Sequence, residues 1–274
     1  MMRHPGEEIT HTSSDTNMPS STTTAGGEDR RSAHTRHIIE GICWLLGLIV
    51  LATSAYFTHL HPGPWPGELE FSRAVQSIHY WPWLLSLLMF FSSLNNIPPS
   101  IAAIVIWVVG MALLRWFRQA IFLALTVGVG NSINLLIGDL VGRPRPSPKL
   151  LHVDTLLKYN SFPSGHTEHD VVFYGFLLYL SFTKPVRTWR YRWFLLPLQI
   201  FAITAILAIG YSRVLEGEHW LSDVLAGYLS GALWLFLFIF LYRWVTQLQA
   251  TWQAKKHASH STKTLTSEDT NYPS

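Results

Sequence analysis

Charge is scarce in this chain. Only 14% of its 274 residues are Asp, Glu, Lys or Arg, where a soluble domain carries about a quarter. Most of that charge falls in the two ends and in short gaps between apolar runs, which argues against a water-soluble globule and for a chain that crosses a bilayer several times. Excess charge of one sign is small as well. A net charge of +3 with His neutral is too little to indicate a nucleic-acid partner. Cysteine is nearly absent: the single Cys43 excludes an intrachain disulfide and reads as a small hydrophobe within the first apolar run. His59, His61, His79 and His152 show no ligand spacing, so neither a metal nor another cofactor is expected. No internal repeat stands out, and composition leaves the oligomeric state open.

Long apolar runs are abundant. Six are long enough to cross a hydrocarbon core, at 38–60, 98–116, 118–137, 166–182, 191–211 and 221–244, and in lipid each must be a helix so that its backbone groups pair internally. A shorter run at 81–94 follows the mixed segment 68–80; together, 68–94 reads as interfacial or re-entrant helix, with a seventh span at 81–94 as the rival reading. The expected fold is therefore all-α, a membrane bundle of about six transmembrane helices with interfacial helical segments between the first and second. The polar ends, 1–37 and 247–274, read as disordered tails flanking a membrane domain at 38–246. Tryptophans at the ends of apolar runs, Trp65, Trp81, Trp83, Trp116, Trp189, Trp193 and Trp244, read as interfacial anchors. Arg36, Arg115, Arg118, Lys184, Arg187, Arg190, Arg192, Arg243 and Lys255 all fall on one side of a six-span chain, which the positive-inside rule makes cytoplasmic. Both tails are then cytoplasmic in a multi-pass protein of the cell membrane.

On the opposite side three short strings converge: Gly142-Arg143-Pro144-Arg145-Pro146, Pro163-Ser164-Gly165-His166, and Ser212-Arg213 followed by His219 and Asp223. Their chemistry suits phosphoryl transfer. The four-residue spacing of His219 and Asp223 puts both on one helical face, where an aspartate that accepts from one ring nitrogen leaves the other free to attack. Arg145 and Arg213 supply fixed positive charge, each able to hold two oxygens. Arg143 serves the same phosphate or makes a headgroup or loop contact. Ser164 and Gly165 stand at a helix start whose unpaired N–H groups face an anion, and His166 is placed to protonate a leaving oxygen. Residues 167–170, Thr-Glu-His-Asp, are unusually polar for a span entrance and either line the pocket or meet the headgroup layer.

Set in this order, the three strings resemble the signature of the type 2 phosphatidic acid phosphatase superfamily, which also contains the vanadium haloperoxidases. The resemblance runs from about Arg115 to Trp244. It implies a metal-independent lipid phosphatase in which His219 is the nucleophile and forms a phosphohistidine, Asp223 orients it and His166 assists the leaving group. Arg145, Ser164, Gly165 and Arg213 then bind the substrate phosphate. One position departs from the family pattern: the lysine seven residues before the second arginine of the first motif is here Gly138. The expected partners are the bilayer and a lipid phosphate or diphosphate of the phosphatidic acid, phosphatidylglycerol phosphate or polyprenyl diphosphate type. A lipid-phosphate-binding protein without turnover is the non-enzyme alternative, prompted by Gly138. A vanadate-dependent haloperoxidase is a remote one, because those relatives are soluble.

Overall fold

The computed structural model describes residues 22–269, with side chains from 35 to 256. Every described element is helical: α1 Thr22–Leu60, α2 Glu68–Ser77, α3 Pro82–Ser93, α4 Ile97–Leu113, α5 Phe117–Val141, α6 Gly165–Ser181, α7 Leu196–Leu215 and α8 Leu221–Asp269, with short 3-10 turns between α6 and α7. The architecture is all-α, and each of the six apolar runs is one of these helices. The chain divides into two units, Met1–Cys43 and Trp44–Ser274. In the first, Glu40 pairs with Arg36 at 3.6 Å and with His37 at 3.1 Å.

Length and composition qualify the number of spans. Among the described residues, four segments are long and apolar enough to cross a membrane, Thr35–Leu60, Phe117–Val141, Arg192–Leu215 and Leu221–Lys256; α3 and α4 reach that length only as a pair bent by 69° at their break, the geometry of a broken span or a re-entrant segment. Proline sits in the first turn of both α3 and α4, where its missing N–H costs nothing and where it stops the preceding segment. The sixth expected span, α6, has only 17 residues, short of the roughly 20 that a bilayer needs. Its polar entrance is covered by protein: Glu168, His169 and Asp170 are buried.

The expectation of disorder at 1–21 and 270–274 lies outside the described residues. Between those limits helix extends into both expected tails. Residues 247–269 contain neither glycine nor proline, so nothing in the sequence terminates α8 earlier.

α6 is the axis of the bundle and packs on α5, α7 and α8. Phe173, Phe176 and Leu180 from α6 join Leu123 and Val127 of α5 and Tyr242 of α8 in one buried cluster. α3 lies along α7, where Leu88 and Phe91 meet Ala205 and Ala208. Around this core Ile106, Leu113, Leu136, Leu140 and Leu207 remain exposed, as expected of a lipid-facing surface. Trp65, Trp81, Trp83, Trp189, Trp193 and Trp244 are exposed as well, whereas Trp116 is half-buried and packs against the core. This packing brings the end of α5, the start of α6, the end of α7 and the start of α8 to one end of the bundle.

Candidate active site

α5 ends on Gly142, whose left-handed φ of 67° turns the chain sharply while its N–H bonds back to Gly138. The following Arg-Pro-Arg-Pro string sends its two arginines to different fates. Arg145 is half-buried: its Nε donates to the Tyr159 carbonyl at 2.9 Å, and one terminal nitrogen donates to the Glu218 carbonyl at 2.9 Å and to His219 Nε2 at 3.1 Å. Arg143 is fully buried. Its guanidinium donates to Asp223 Oδ1 at 2.6 Å, Ser222 Oγ at 2.7 Å, Glu68 Oε2 at 2.8 Å and the Gly63 carbonyl at 2.9 Å. The structure thus places Arg143 behind Asp223, among protein acceptors.

Ser164 precedes the first turn of α6, and its N–H donates to the Asp223 carbonyl at 2.9 Å, which ties the second string to the third. Its hydroxyl accepts from Thr167 at 3.0 Å. α8 lies directly against this backbone: a Cβ on Gly227 would sit 2.6 Å from the Ser164 carbonyl oxygen. Gly165 and His166 follow in the first turn, both half-buried, where backbone N–H groups have no partner within the helix. The His166 ring has no hydrogen-bond partner among the described residues.

His219 lies in the turn before α8 rather than on it, because the helix begins at Leu221. The expected shared helical face is therefore replaced by a cap. Asp223 turns back to accept from the Trp220 N–H at 2.9 Å, and its Oδ2 stands 3.8 Å from His219 Nδ1, too far for a hydrogen bond. Ser161 fills the gap. Its hydroxyl donates to Asp223 Oδ2 at 2.5 Å and lies 3.3 Å from His219 Nδ1.

Donor logic then fixes the tautomer. A guanidinium only donates, so His219 Nε2 facing Arg145 is an acceptor, and Nδ1 carries the proton toward Ser161 and Asp223. Fully buried, His219 is held neutral: burial foremost, then the positive charge of Arg145, brings its pKa down to about 4 against the opposing pull of Asp223. Burial likewise lowers the pKa of Arg145, opposed by Glu218 and Asp223.

Arg213 ends α7, buried beside two carboxylates. It donates to Glu218 Oε2 at 2.7 Å, to Glu216 and to the Ser92 hydroxyl, leaving its Nε without an acceptor. Burial raises the Glu216 pKa against the pull of Arg213. Gly138 also has a structural explanation: a Cβ there would stand 3.3 Å from the Phe162 carbonyl oxygen, so the absent side chain lets the second string lie close on α5. Ser161, Glu68 and the two glutamates around Arg213 escaped the sequence reading. Ser161 sits two residues before Pro163 and was findable from its place in the motif, whereas Glu68 lies 75 residues before Arg143 and gave no local signal.

The chain is similar in sequence and fold to known proteins. Residues 119–248 match the model of the PAP2 superfamily. The chain is 28% identical over 162 residues to phosphatidylglycerophosphatase B of Bacillus subtilis (strain 168), covering 57% of this chain and 74% of that one. It is 29% identical over 153 residues to a putative undecaprenyl-diphosphatase of Escherichia coli (strain K12), covering 55% and 69%. Its fold is similar to the crystal structure of the transmembrane PAP2 type phosphatidylglycerolphosphate phosphatase from Bacillus subtilis, with a TM-score of 0.60 and 22% identity over 72% of this chain and 94% of that one.

Proposed function

We propose, from the membership of residues 119–248 in the PAP2 superfamily, that this chain is a metal-independent integral-membrane phosphatase acting on a lipid phosphate or diphosphate. The observation that carries the reading is His219. Its Nε2 faces the Arg145 guanidinium and its Nδ1 is backed by Ser161 and Asp223, which presents a neutral, correctly protonated nucleophile next to a phosphate-binding cation.

In the first step His219 Nε2 attacks phosphorus. The phosphorus–oxygen bond to the lipid breaks, and the leaving oxygen takes a proton from His166. Arg145 transfers its hydrogen bond from Nε2 to the phosphoryl oxygens, joined by Arg213, the Ser164 hydroxyl and the Gly165 N–H. The positive charge that develops on the imidazole is stabilised by Asp223 through Ser161. In the second step His166, now a base, takes a proton from water as its oxygen attacks the phosphohistidine, and inorganic phosphate leaves with the nitrogen–phosphorus bond broken.

A hydrocarbon tail is supported by an apolar cavity of about 670 Å³ between α4, α6 and α7, lined among others by Trp107, Met111, Phe173, Tyr174, Leu177 and Phe201. The names of the relatives favour phosphatidylglycerol phosphate and undecaprenyl diphosphate as substrates over water-soluble esters. The basic residues at the starts of α5 and α7, opposite the motif ends of the same helices, favour an extracytoplasmic site in the cell membrane.

Phosphate release from these lipids and from phosphatidic acid, by purified protein in chelator, tests the reading. Turnover by the wild type and none by His219→Ala is expected. Release by both that is equally slow, on every lipid phosphate tried, would leave a lipid-phosphate-binding protein, the alternative that Gly138 raises. Turnover that requires an added divalent ion would refute metal independence.

A further inference from the structure

The catalytic aspartate is braced from a helix that the family match does not include. Glu68 opens α2, well before residue 119, and is 6% exposed. Four donors converge on its two carboxylate oxygens: Ser222 N–H at 2.8 Å and Ser222 hydroxyl at 2.5 Å on Oε1, and the Trp65 N–H at 2.6 Å and Arg143 at 2.8 Å on Oε2. Only an ionised carboxylate accepts all four. A glutamine would turn an amide N–H₂ toward two of these donors.

On the far side of Arg143 stands Asp223, one residue after Ser222 and fully buried. A single guanidinium therefore bridges two buried carboxylates, while Ser222 ties Glu68 to the first turn of α8. A cation so placed cannot follow one anion without leaving the other, so the position of Glu68 sets that of Arg143, and Arg143 sets that of Asp223 Oδ1. The other oxygen, Oδ2, is left to Ser161 and to the Trp220 N–H, and through Ser161 it fixes the proton on His219 Nδ1.

We propose that Glu68 is a positioning residue for the reaction, acting through Arg143 and Ser222 to hold Asp223 where it selects the reactive tautomer of His219. This assignment rests on the phosphatase reading for its kinetic consequence, but the tautomer itself is observable without turnover. It also gives Arg143 a role distinct from phosphate binding. Altering the brace lowers kcat and leaves KM nearly unchanged, whereas a substitution at Arg145, which reaches the nucleophile side, raises KM.

The test compares the full-length wild type with Glu68→Gln, Glu68→Asp, Arg143→Lys and Arg145→Lys in detergent micelles. The substrates are phosphatidic acid and undecaprenyl diphosphate. ¹⁵N shifts of the His219 ring, assigned by difference from His219→Ala, report the tautomer. Glu68→Gln and Arg143→Lys are each expected to lower kcat roughly 10- to 100-fold with KM changed less than about twofold, and to give His219 a mixture of tautomers. Glu68→Asp, which keeps the charge, recovers part of both. A His219 tautomer unchanged in Glu68→Gln overturns the proposal, whether or not kcat falls, since a purely structural loss does not move the proton. If Glu68→Gln does not fold, the same shifts in Ser222→Ala, which removes one donor to Glu68, decide the matter. A wild type that releases no phosphate sinks the phosphatase reading alone, and the tautomer comparison still decides for or against the brace.

Discussion

Acid is the most informative perturbation, because a buried neutral nucleophile stays active where an ordinary histidine does not. With its pKa at about 4, His219 is about 90% neutral at pH 5, whereas an unshifted histidine near 6.5 is only about 3% neutral there. The difference is about 30-fold in the competent form of the free protein, and kcat/KM reports that form. The assay is kcat/KM from pH 3.5 to 8 with two substrates, a phosphomonoester lipid and a diphosphate lipid. Their own ionisations differ, so a limb shared by both belongs to the protein. That shared acid limb is expected near pH 4. Folding carries the same signature. The folded chain releases the His219 proton more readily than the unfolded one, so the contribution is intact above about pH 6.5 and is lost as pH falls toward 4, by about 3 kcal/mol in all. A shared limb near 6.5 would refute the argument that burial and Arg145 keep the imidazole neutral.

Three further outcomes follow from named contacts. Ser161→Ala removes the hydroxyl between His219 and Asp223, and kcat in steady-state assays should fall roughly 10- to 100-fold, less than the roughly 10⁴-fold expected of Asp223→Asn; an unchanged kcat would mean that the 3.8 Å separation closes unaided. Gly138→Ala, and equally Gly138→Lys, presses a Cβ toward the Phe162 carbonyl at 3.3 Å; a loss of about 1 kcal/mol in thermal unfolding is expected with no tightening of KM, and a stabilised Gly138→Lys with a lower KM would show that only the missing cation matters there. In cells carrying Cys43→Ser and Lys149→Cys, a membrane-impermeant thiol reagent should label position 149 without permeabilisation, and labelling only after permeabilisation would place the site on the cytoplasmic side.

The helices were legible because hydrocarbon leaves the backbone no alternative, and each apolar run became one. The number of crossings was harder to read. α6 reads as a span in the sequence, but its polar first turns are covered by α5, α7 and α8 rather than by lipid, and a one-dimensional pattern does not distinguish helix burial from lipid burial. At the site, spacing alone identified His219, Asp223, His166 and Arg145 as candidates because a few residue types in order carry phosphate chemistry. It misjudged the link between the first two: His219 lies in the turn before α8, and Ser161, from the segment before α6, stands between it and Asp223. The placement of Arg143 was out of reach for a different reason. Arg143 and Arg145 are chemically identical and two residues apart, and only the fold turns one toward Glu68 and Asp223 and the other toward His219.

The claim on which everything else depends is that His219 Nε2 is the atom that takes the phosphoryl group. Rapid acid-free quenching of the protein with a ³²P-labelled lipid phosphate, followed by digestion and peptide mapping, tests it directly. The wild type is expected to yield an acid-labile, alkali-stable label on the peptide bearing His219, accumulating in His166→Ala if water attack needs that base, and absent from His219→Ala. Phosphate release without a labelled histidine, or a label that persists in His219→Ala, would contradict the account.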